Sequence, residues 1–308
     1  MATLDAYFTT FHSRINLDQG RRDQVTSAHT TLRERLRTRP ALEAKIKELF
    51  LQGSCAQHTA VRPPQEGEFD VDVVLAMDFS EVDAWGFREP RDPRSALDWV
   101  ARRLRGIPTY AGKVHQRGRC VRIEFSEGFH MDVVPAHAPN GHDKPLWIPN
   151  RDLNQWQASH PKGYLDWCTE RNKATDGQFS RIVKYMKCWR DDVLPKAARP
   201  KSIILQTMVG AALKGPPNSV EQAVTSVLDR LASMARARAG FLSDFRVTNP
   251  AMPNEDLAAS WEASSIARFA EEANRCAEIA RAATQSKAPA QSAQLWSMAL
   301  GRRFPLTS

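Results

Sequence analysis

Three aspartates and a glycine–serine pair carry the chemistry this sequence could perform. Asp70 and Asp72 lie in Glu-Phe-Asp-Val-Asp-Val-Val-Leu-Ala-Met, where Phe69, Val71, Val73, Val74 and Leu75 form a short apolar run that predicts a strand. Residues two apart on a strand share a face, so the two carboxylates project side by side, their Cα atoms roughly 6–7 Å apart. Such a pair repels itself and is costly to bury without a partner. Divalent cations remove that conflict. Two ions about 3.5–4 Å apart suit an in-line nucleotidyl transfer, one activating the attacking hydroxyl and one steadying the leaving pyrophosphate. A third carboxylate, Asp132, sits in Phe-His-Met-Asp-Val-Val-Pro, another apolar strand-like run. Upstream, Gly53 lets the backbone approach a ligand closely and Ser54 adds a hydroxyl donor, which together make a phosphate grip.

These residues need elements to hold them. Apolar spacing of three and four through Leu4, Tyr7, Phe8, Phe11 and Ile15 predicts an amphipathic helix over 3–15. A second helix is expected from Asp18 to Arg37, ending before Pro40, with a solvated arginine-rich face. A third is expected over Ala41–Leu51, delivering the chain to Gly53. Residues 78–93 read as a surface loop and Ser95–Arg105 as a helix. Val114–Phe125 reads as a strand that turns through Ser126-Glu-Gly into the strand bearing Asp132. That hairpin would bring Asp132 beside the Asp70/Asp72 strand. From Gly163 the pattern is helical, with Ile182, Tyr185, Met186 and Trp189 on one buried face and Arg181, Lys184 and Lys187 on an adjoining stripe. Gly215-Pro-Pro-Asn breaks the chain before a helix over 219–238, and Asn249-Pro begins a turn into the next helix. Residues 284–294 read as a flexible linker. His130, His137 and His142 match no zinc spacing and read as structural or loop histidines.

Gln-Gly-Ser, then Phe-Asp-Val-Asp-Val-Val, then a lone aspartate on a later strand resembles the polymerase-β-like nucleotidyltransferase superfamily, and within it the bacterial CD-NTases. Asn249-Pro…Glu-Asp-Leu and the tail Gly301-Arg-Arg-Phe-Pro are similar to the same family. The resemblance implies an α+β fold, with a mixed-sheet nucleotidyltransferase core over 1–160 and a helical C-terminal lobe over 161–308 that closes over the nucleotide. It implies that Asp70, Asp72 and Asp132 hold two Mg²⁺ ions, with Mn²⁺ able to substitute. It further implies that Gln52, Gly53 and Ser54 cradle phosphates, and that Lys184, Lys187 and Ser202 meet the donor triphosphate. Ser202 could also serve as a helix N-cap. The product would be a cyclic di- or trinucleotide made from ATP, GTP or pyrimidine triphosphates for CBASS antiphage signalling, with CBASS regulatory proteins as partners. One departure is His58, which stands where many relatives of the Gly-Ser-x-x-x-Gly-Thr pattern carry a second glycine.

Composition leaves room for other readings. The chain has 308 residues, 42% of them hydrophobic and 25% charged, with a net charge of +8. These values fit a globular protein that attracts polyanions. No run of about 18 or more apolar residues exists, the N-terminus has no secretory pattern, and the five cysteines are scattered. The expectation is a cytoplasmic protein with free thiols, no membrane span and no P-loop. The run Arg102, Arg103, Arg105, Lys113, His115, Arg117, Arg119 and Arg122 could contact nucleic acid. Two alternatives follow from it. One is a transferase acting on RNA or protein. The other is a nucleic-acid-binding module with an inactive site, whose affinity would fall steeply with salt.

Overall fold

Helix α1 (Leu4–Ile15) opens the chain and buries Tyr7, Phe8, Phe11 and Ile15, the residues its apolar spacing singles out. The computed structural model describes residues 4–39, 43–63, 67–82, 88–125, 128–239 and 246–307. It divides into one unit made of residues 17–58 and 63–166 and a second made of 1–16, 59–62 and 167–308.

The first unit begins with α2 (Gln19–Arg37), whose N-cap Asp18 accepts a hydrogen bond from the Arg21 amide at 2.9 Å. One side of α2 is not solvated as expected, because Val25, Ala28, Leu32 and Leu36 are buried. Strand β1 (Ile46–Gln52) replaces the helix anticipated over Ala41–Leu51, of which residues 41 and 42, like Pro40, lie outside the described residues. The stretch Ile-Lys-Glu-Leu-Phe-Leu-Gln is compatible with either state. Pairing decides it, since Leu49 faces Leu75 and Gln52 faces Asp72 across an antiparallel ladder. After a single helical turn, α3 (Gly53–Ala56), come β2 (Phe69–Met77), the short pair β3 (Ser80–Val82) and β4 (Arg88–Pro90), and α4 (Pro93–Arg105). The 78–93 loop thus contains a small hairpin; residues 83–87 lie outside the described residues. Strands β5 (Val114–Gln116), β6 (Val121–Glu124), β7 (Phe129–His137), β8 (Leu146–Asn150) and β9 (Gln155–Ser159) complete the seven-stranded sheet. The single strand expected over 114–125 is therefore two, β5 and β6, paired antiparallel. Residues 126 and 127 of the expected turn into β7 lie outside the described residues.

The sheet runs β1-β2-β7-β6-β5, with β8 on β7 and β9 on β8. Among the described pairings β2 and β7 are parallel and the rest antiparallel. Alternation along β2 and β7 sends Val71, Val73, Leu75, Met131 and Val133 into one core with Leu32 and Leu36 of α2 and Leu97, Val100 and Leu104 of α4. Each such side chain contributes about 1.5–3 kcal/mol when fully buried. The opposite face of the same strands carries the polar residues.

The second unit is helical: α5 (Pro161–Ala174, which begins in the first unit), α6 (Gln178–Val193), α7 (Ser202–Ala212), α8 (Val220–Ala239), α9 (Ala263–Gln285) and α10 (Pro289–Leu300). The Asn249 turn proves to be a two-stranded hairpin, β10 (Thr248–Asn249) with β11 (Met252–Asp256). The linker expected at 284–294 is helical for most of its length. Low bulk is not disorder here: alanine is the best helix former, Ala293 is fully buried, and Ser292 Oγ donates to Ala283 O at 2.8 Å. Phe8 packs edge-on against Trp296 and Phe304 at centroid distances of 5.0 and 5.1 Å, tying α1 to α10 and the tail. No helix among the described residues is long and apolar enough to cross a membrane, and none of the five cysteines is in a disulfide.

The Gly301-Arg-Arg-Phe-Pro tail is held by a close approach. Gly301 has φ +97, and a Cβ there would run into Asp192, whose Oδ2 accepts from Arg303 Nε at 2.9 Å. Gly301→Ala is expected to destabilise the protein by about 2–3 kcal/mol, read as a lower denaturation midpoint at unchanged slope. An unchanged midpoint would show that the tail is free to shift.

Candidate active site

Strand register assembles the polar face. The parallel β2–β7 ladder sets Asp72 opposite Asp132 and Asp70 opposite His130. The antiparallel β6–β7 ladder sets Arg122 opposite Asp132, and β1 sets Gln52 opposite Asp72. Directly opposed residues share a face. Gln52, Asp72, Asp132 and Arg122 therefore form one row across four strands, with Asp70 and His130 in the next.

Asp72 is withdrawn from water, and its carboxyl is pushed up to about 6, first by burial and then by the charges of Asp132 and Asp70. Asp70 is exposed and its Oδ1 meets His130 Nε2; the other imidazole nitrogen, Nδ1, is 3.3 Å from Glu68 Oε2. Arg122 grips Asp132 with both arms of its fork, Nε donating to Oδ1 and Nη2 to Oδ2, each at 2.8 Å. The same guanidinium is 3.8 Å from Asp70 Oδ1. The Cys120 thiol is pushed up to about 12 by burial and by the Asp132 charge, so it stays a neutral neighbour.

Asp70, His130 and Asp132 can each turn a ligand atom to within 4.8 Å of the others. This donor set suits a metal ion, and a buried carboxylate beside it that is hard to ionise alone fits a place where a cation belongs. His130 was expected to be structural and instead joins the carboxylates. His137 does keep a structural place, its Nδ1 accepting from the Phe79 amide at 3.2 Å. Arg122, grouped by sequence with the basic run, is drawn out of it, whereas Arg102, Arg103, Arg105, Lys113, Arg117 and Arg119 are exposed. The alternation Val121-Arg122-Ile123 places Arg122 on the polar face, but only the register shows what it opposes.

The glycine–serine turn is fitted to this row. Gly53 has φ +66, and a Cβ there would fall on the Asp72 carboxylate, 3.1 Å from its Cγ and nearer still to Oδ2. His58, at the position where relatives carry glycine, keeps a left-handed backbone at φ +55.

Lys184, Lys187 and Ser202 belong to the helical unit. The two lysines are buried, not in water as an ordinary amphipathic helix would leave them. Lys187 Nζ donates to Thr59 O at 3.0 Å and Thr59 Oγ1 at 3.1 Å, while Lys184 Nζ donates to Asn16 Oδ1 at 2.6 Å. Thr59 was not singled out from the sequence; it is fully buried, and its hydroxyl also bonds Gln206 Oε1 at 3.0 Å. Ser202 is not the N-cap of α7, a place taken by Lys201; its Oγ accepts from Arg190 Nη1 at 2.9 Å.

A mixed sheet that aligns three carboxylates across a parallel strand pair, followed by a helical unit, has the architecture of a nucleotidyltransferase, and comparison with known proteins agrees. The model of the Second Messenger Oligonucleotide or Dinucleotide Synthetase domain matches residues 1–172, and the chain belongs to this family, the bacterial CD-NTases. It is 26% identical to the cyclic AMP-AMP-GMP synthase of Enterobacter hormaechei over 98% of this chain and 92% of that one. It is 28% identical to the cyclic AMP-AMP-AMP synthase of an Acinetobacter species, covering 92% and 80% of the two chains. Escherichia coli MS115-1 CdnC, solved with ATP, superposes with a TM-score of 0.78 at 20% identity over 97% and 98% of the chains. CdnC has also been solved in complex with a HORMA protein. The protein is accordingly an enzyme, a nucleotidyltransferase of the cyclic di- and trinucleotide synthase class.

Proposed function

We propose that this enzyme joins nucleoside triphosphates into a cyclic di- or trinucleotide messenger at the Asp70–Asp72–Asp132 face. The observation that carries the reading is the register that sets Asp72 opposite Asp132, with Asp70 two residues away on the same face. In each step an acceptor 3′- or 2′-oxygen bonds to the α-phosphorus of a donor, and the bond to the β-phosphate breaks, releasing pyrophosphate. Asp70 and Asp72 would hold two Mg²⁺ ions, or Mn²⁺ in their place, and Asp132 would complete the ligand set; His130 is a further candidate ligand. The metal, when bound, supplies charge neutralisation at the triphosphate and lowers the pKa of the acceptor hydroxyl. Gln52, Gly53 and Ser54 orient the β- and γ-phosphates. Lys184, Lys187 and Ser202 contribute to triphosphate binding, with the metal-binding core within residues 1–160 and the helical lobe within 161–308. ATP, GTP and pyrimidine triphosphates are the candidate substrates. By analogy with CdnC and its HORMA partner, a regulatory protein of a CBASS antiphage system would control a cytoplasmic enzyme. The exposed basic run would allow nucleic acid as a further ligand.

The test is purified protein with all four labelled triphosphates and Mg²⁺ or Mn²⁺, the products treated with phosphatase and resolved by mass. A phosphatase-resistant small nucleotide is expected and would identify the bases. Label transferred to added RNA or protein instead would reject the cyclase reading in favour of a macromolecular acceptor.

A further inference from the structure

The cation already built into the carboxylate face is Arg122. Its fork occupies both oxygens of Asp132 at 2.8 Å and lies 3.8 Å from Asp70 Oδ1. Asp132 and Asp70 are two of the three residues whose ligand atoms fall within 4.8 Å of one another. The guanidinium therefore neutralises part of the same charge that a divalent ion would neutralise.

Two features make this arrangement hard to leave. The β6–β7 ladder holds Arg122 directly opposite Asp132, so the pair is fixed by backbone register and not by a wandering surface side chain. Both partners are also largely withdrawn from water, with side chains 23% and 14% exposed, which weakens screening. Arginine cannot be deprotonated in a protein, so its charge persists at every working pH.

We propose that Arg122 is a resident counter-cation: it compensates the metal-free carboxylates and keeps their affinity for free divalent ions low. Metal occupancy then depends on a ligand that brings negative charge, namely the nucleotide triphosphate. Arg122 acts through Asp132 and Asp70, as a positioning residue. The idea rests on the reading of these carboxylates as a metal site.

The experiment is Mn²⁺ titration in the absence of nucleotide, followed by electron paramagnetic resonance of the free ion. Wild type, Arg122→Gln and Arg122→Lys are compared, together with Asp70→Asn in the wild-type and Arg122→Gln backgrounds. Arg122→Gln removes a full charge within a few ångströms of the ligands, and should bind Mn²⁺ about tenfold more tightly than wild type. Arg122→Lys keeps the charge without the fork, and should remain as weak as wild type. In EDTA, the melting temperature of Arg122→Gln should fall below that of wild type. Unchanged or weaker Mn²⁺ binding by Arg122→Gln would overturn the proposal. So would a tenfold gain in Arg122→Lys, which also carries the test if the glutamine variant does not fold. Asp70→Asn separates the two levels of the argument. If it leaves Mn²⁺ binding untouched in both backgrounds, the metal-site reading itself fails. If it abolishes binding while Arg122→Gln shows no gain, the site stands and Arg122 has no such role.

Discussion

Asp72→Asn is expected to abolish nucleotide synthesis and, at the same time, to make the metal-free protein more stable. The two effects share one cause. Burial and the neighbouring Asp132 and Asp70 charges raise the Asp72 carboxyl to about 6 from an ordinary value of 3.8. The folded state therefore holds a proton that the unfolded state has given up between those two values. Stability falls as pH rises through that window, and above about pH 6 the whole penalty of ionising Asp72 is present, at most about 3 kcal/mol. An amide carries no such penalty. In EDTA at pH 8 the asparagine variant should gain about 1–2 kcal/mol, a gain that shrinks as pH falls through 6 and is gone below about 4. Adding Mg²⁺ or Mn²⁺ together with a non-hydrolysable nucleoside triphosphate should reverse the order, because the bound metal–nucleotide stabilises wild type by mass action and the variant far less. Catalysis should drop by at least about a thousandfold, since a carboxylate that would hold the metal at the reacting phosphate is lost. By the same linkage, wild-type metal binding should weaken as pH drops through about 6, where the ion must displace a proton. Thermal unfolding with and without metal at several pH values, beside product formation, checks all of this. An asparagine variant that still makes product, or one destabilised in EDTA at pH 8, would remove Asp72 from the centre of the site.

Gly53→Ala should cost about 2–3 kcal/mol of stability and at least about a hundredfold in activity. Part of the stability loss is backbone: φ +66 is open to glycine and strained for alanine. The larger part is steric, because the new methyl would overlap the Asp72 carboxylate, which must rotate away or push the turn outward. Either movement uncouples the phosphate grip from the carboxylates, and misplacement by about 1 Å is enough for a hundredfold loss. Neighbouring Ser54→Ala is the control, since it removes a hydroxyl without moving the backbone and should lose less. Denaturation midpoints and initial rates for the two variants decide the matter. Comparable rates for Gly53→Ala and wild type would mean that the turn does not gauge the position of Asp72.

Much of the site was legible because chemistry restricts residue type. Two aspartates on one face of an apolar strand are costly to bury without a cation, and the period of two put them on one face without any fold. Helices with clean spacing, such as α1 and α6, were equally plain, because a single buried stripe is a local property. Elements whose state depends on partners were not. The segment before Gly53 became a strand because Leu49 and Gln52 pair with Leu75 and Asp72. The alanine-rich 284–294 stretch became helical because Ala293 and Ser292 are enclosed by neighbouring residues that no local rule supplies.

The amino-acid sequence on its own pointed to the family and the reaction class, through the resemblance its motifs carry, and singled out three aspartates as candidate metal ligands. Only the tertiary structure decided which cations and turns serve those carboxylates. Arg122 lies ten residues before Asp132 and reads as one more basic residue in a run, yet antiparallel register makes it the partner of that carboxylate. His130 reads as an ordinary strand histidine until a parallel strand sets it against Asp70. Gly53 and Asp72 touch because β1 and β2 are hydrogen-bonded neighbours. Register is a property of paired strands, and a shift of one residue would have turned every one of these side chains to the other face.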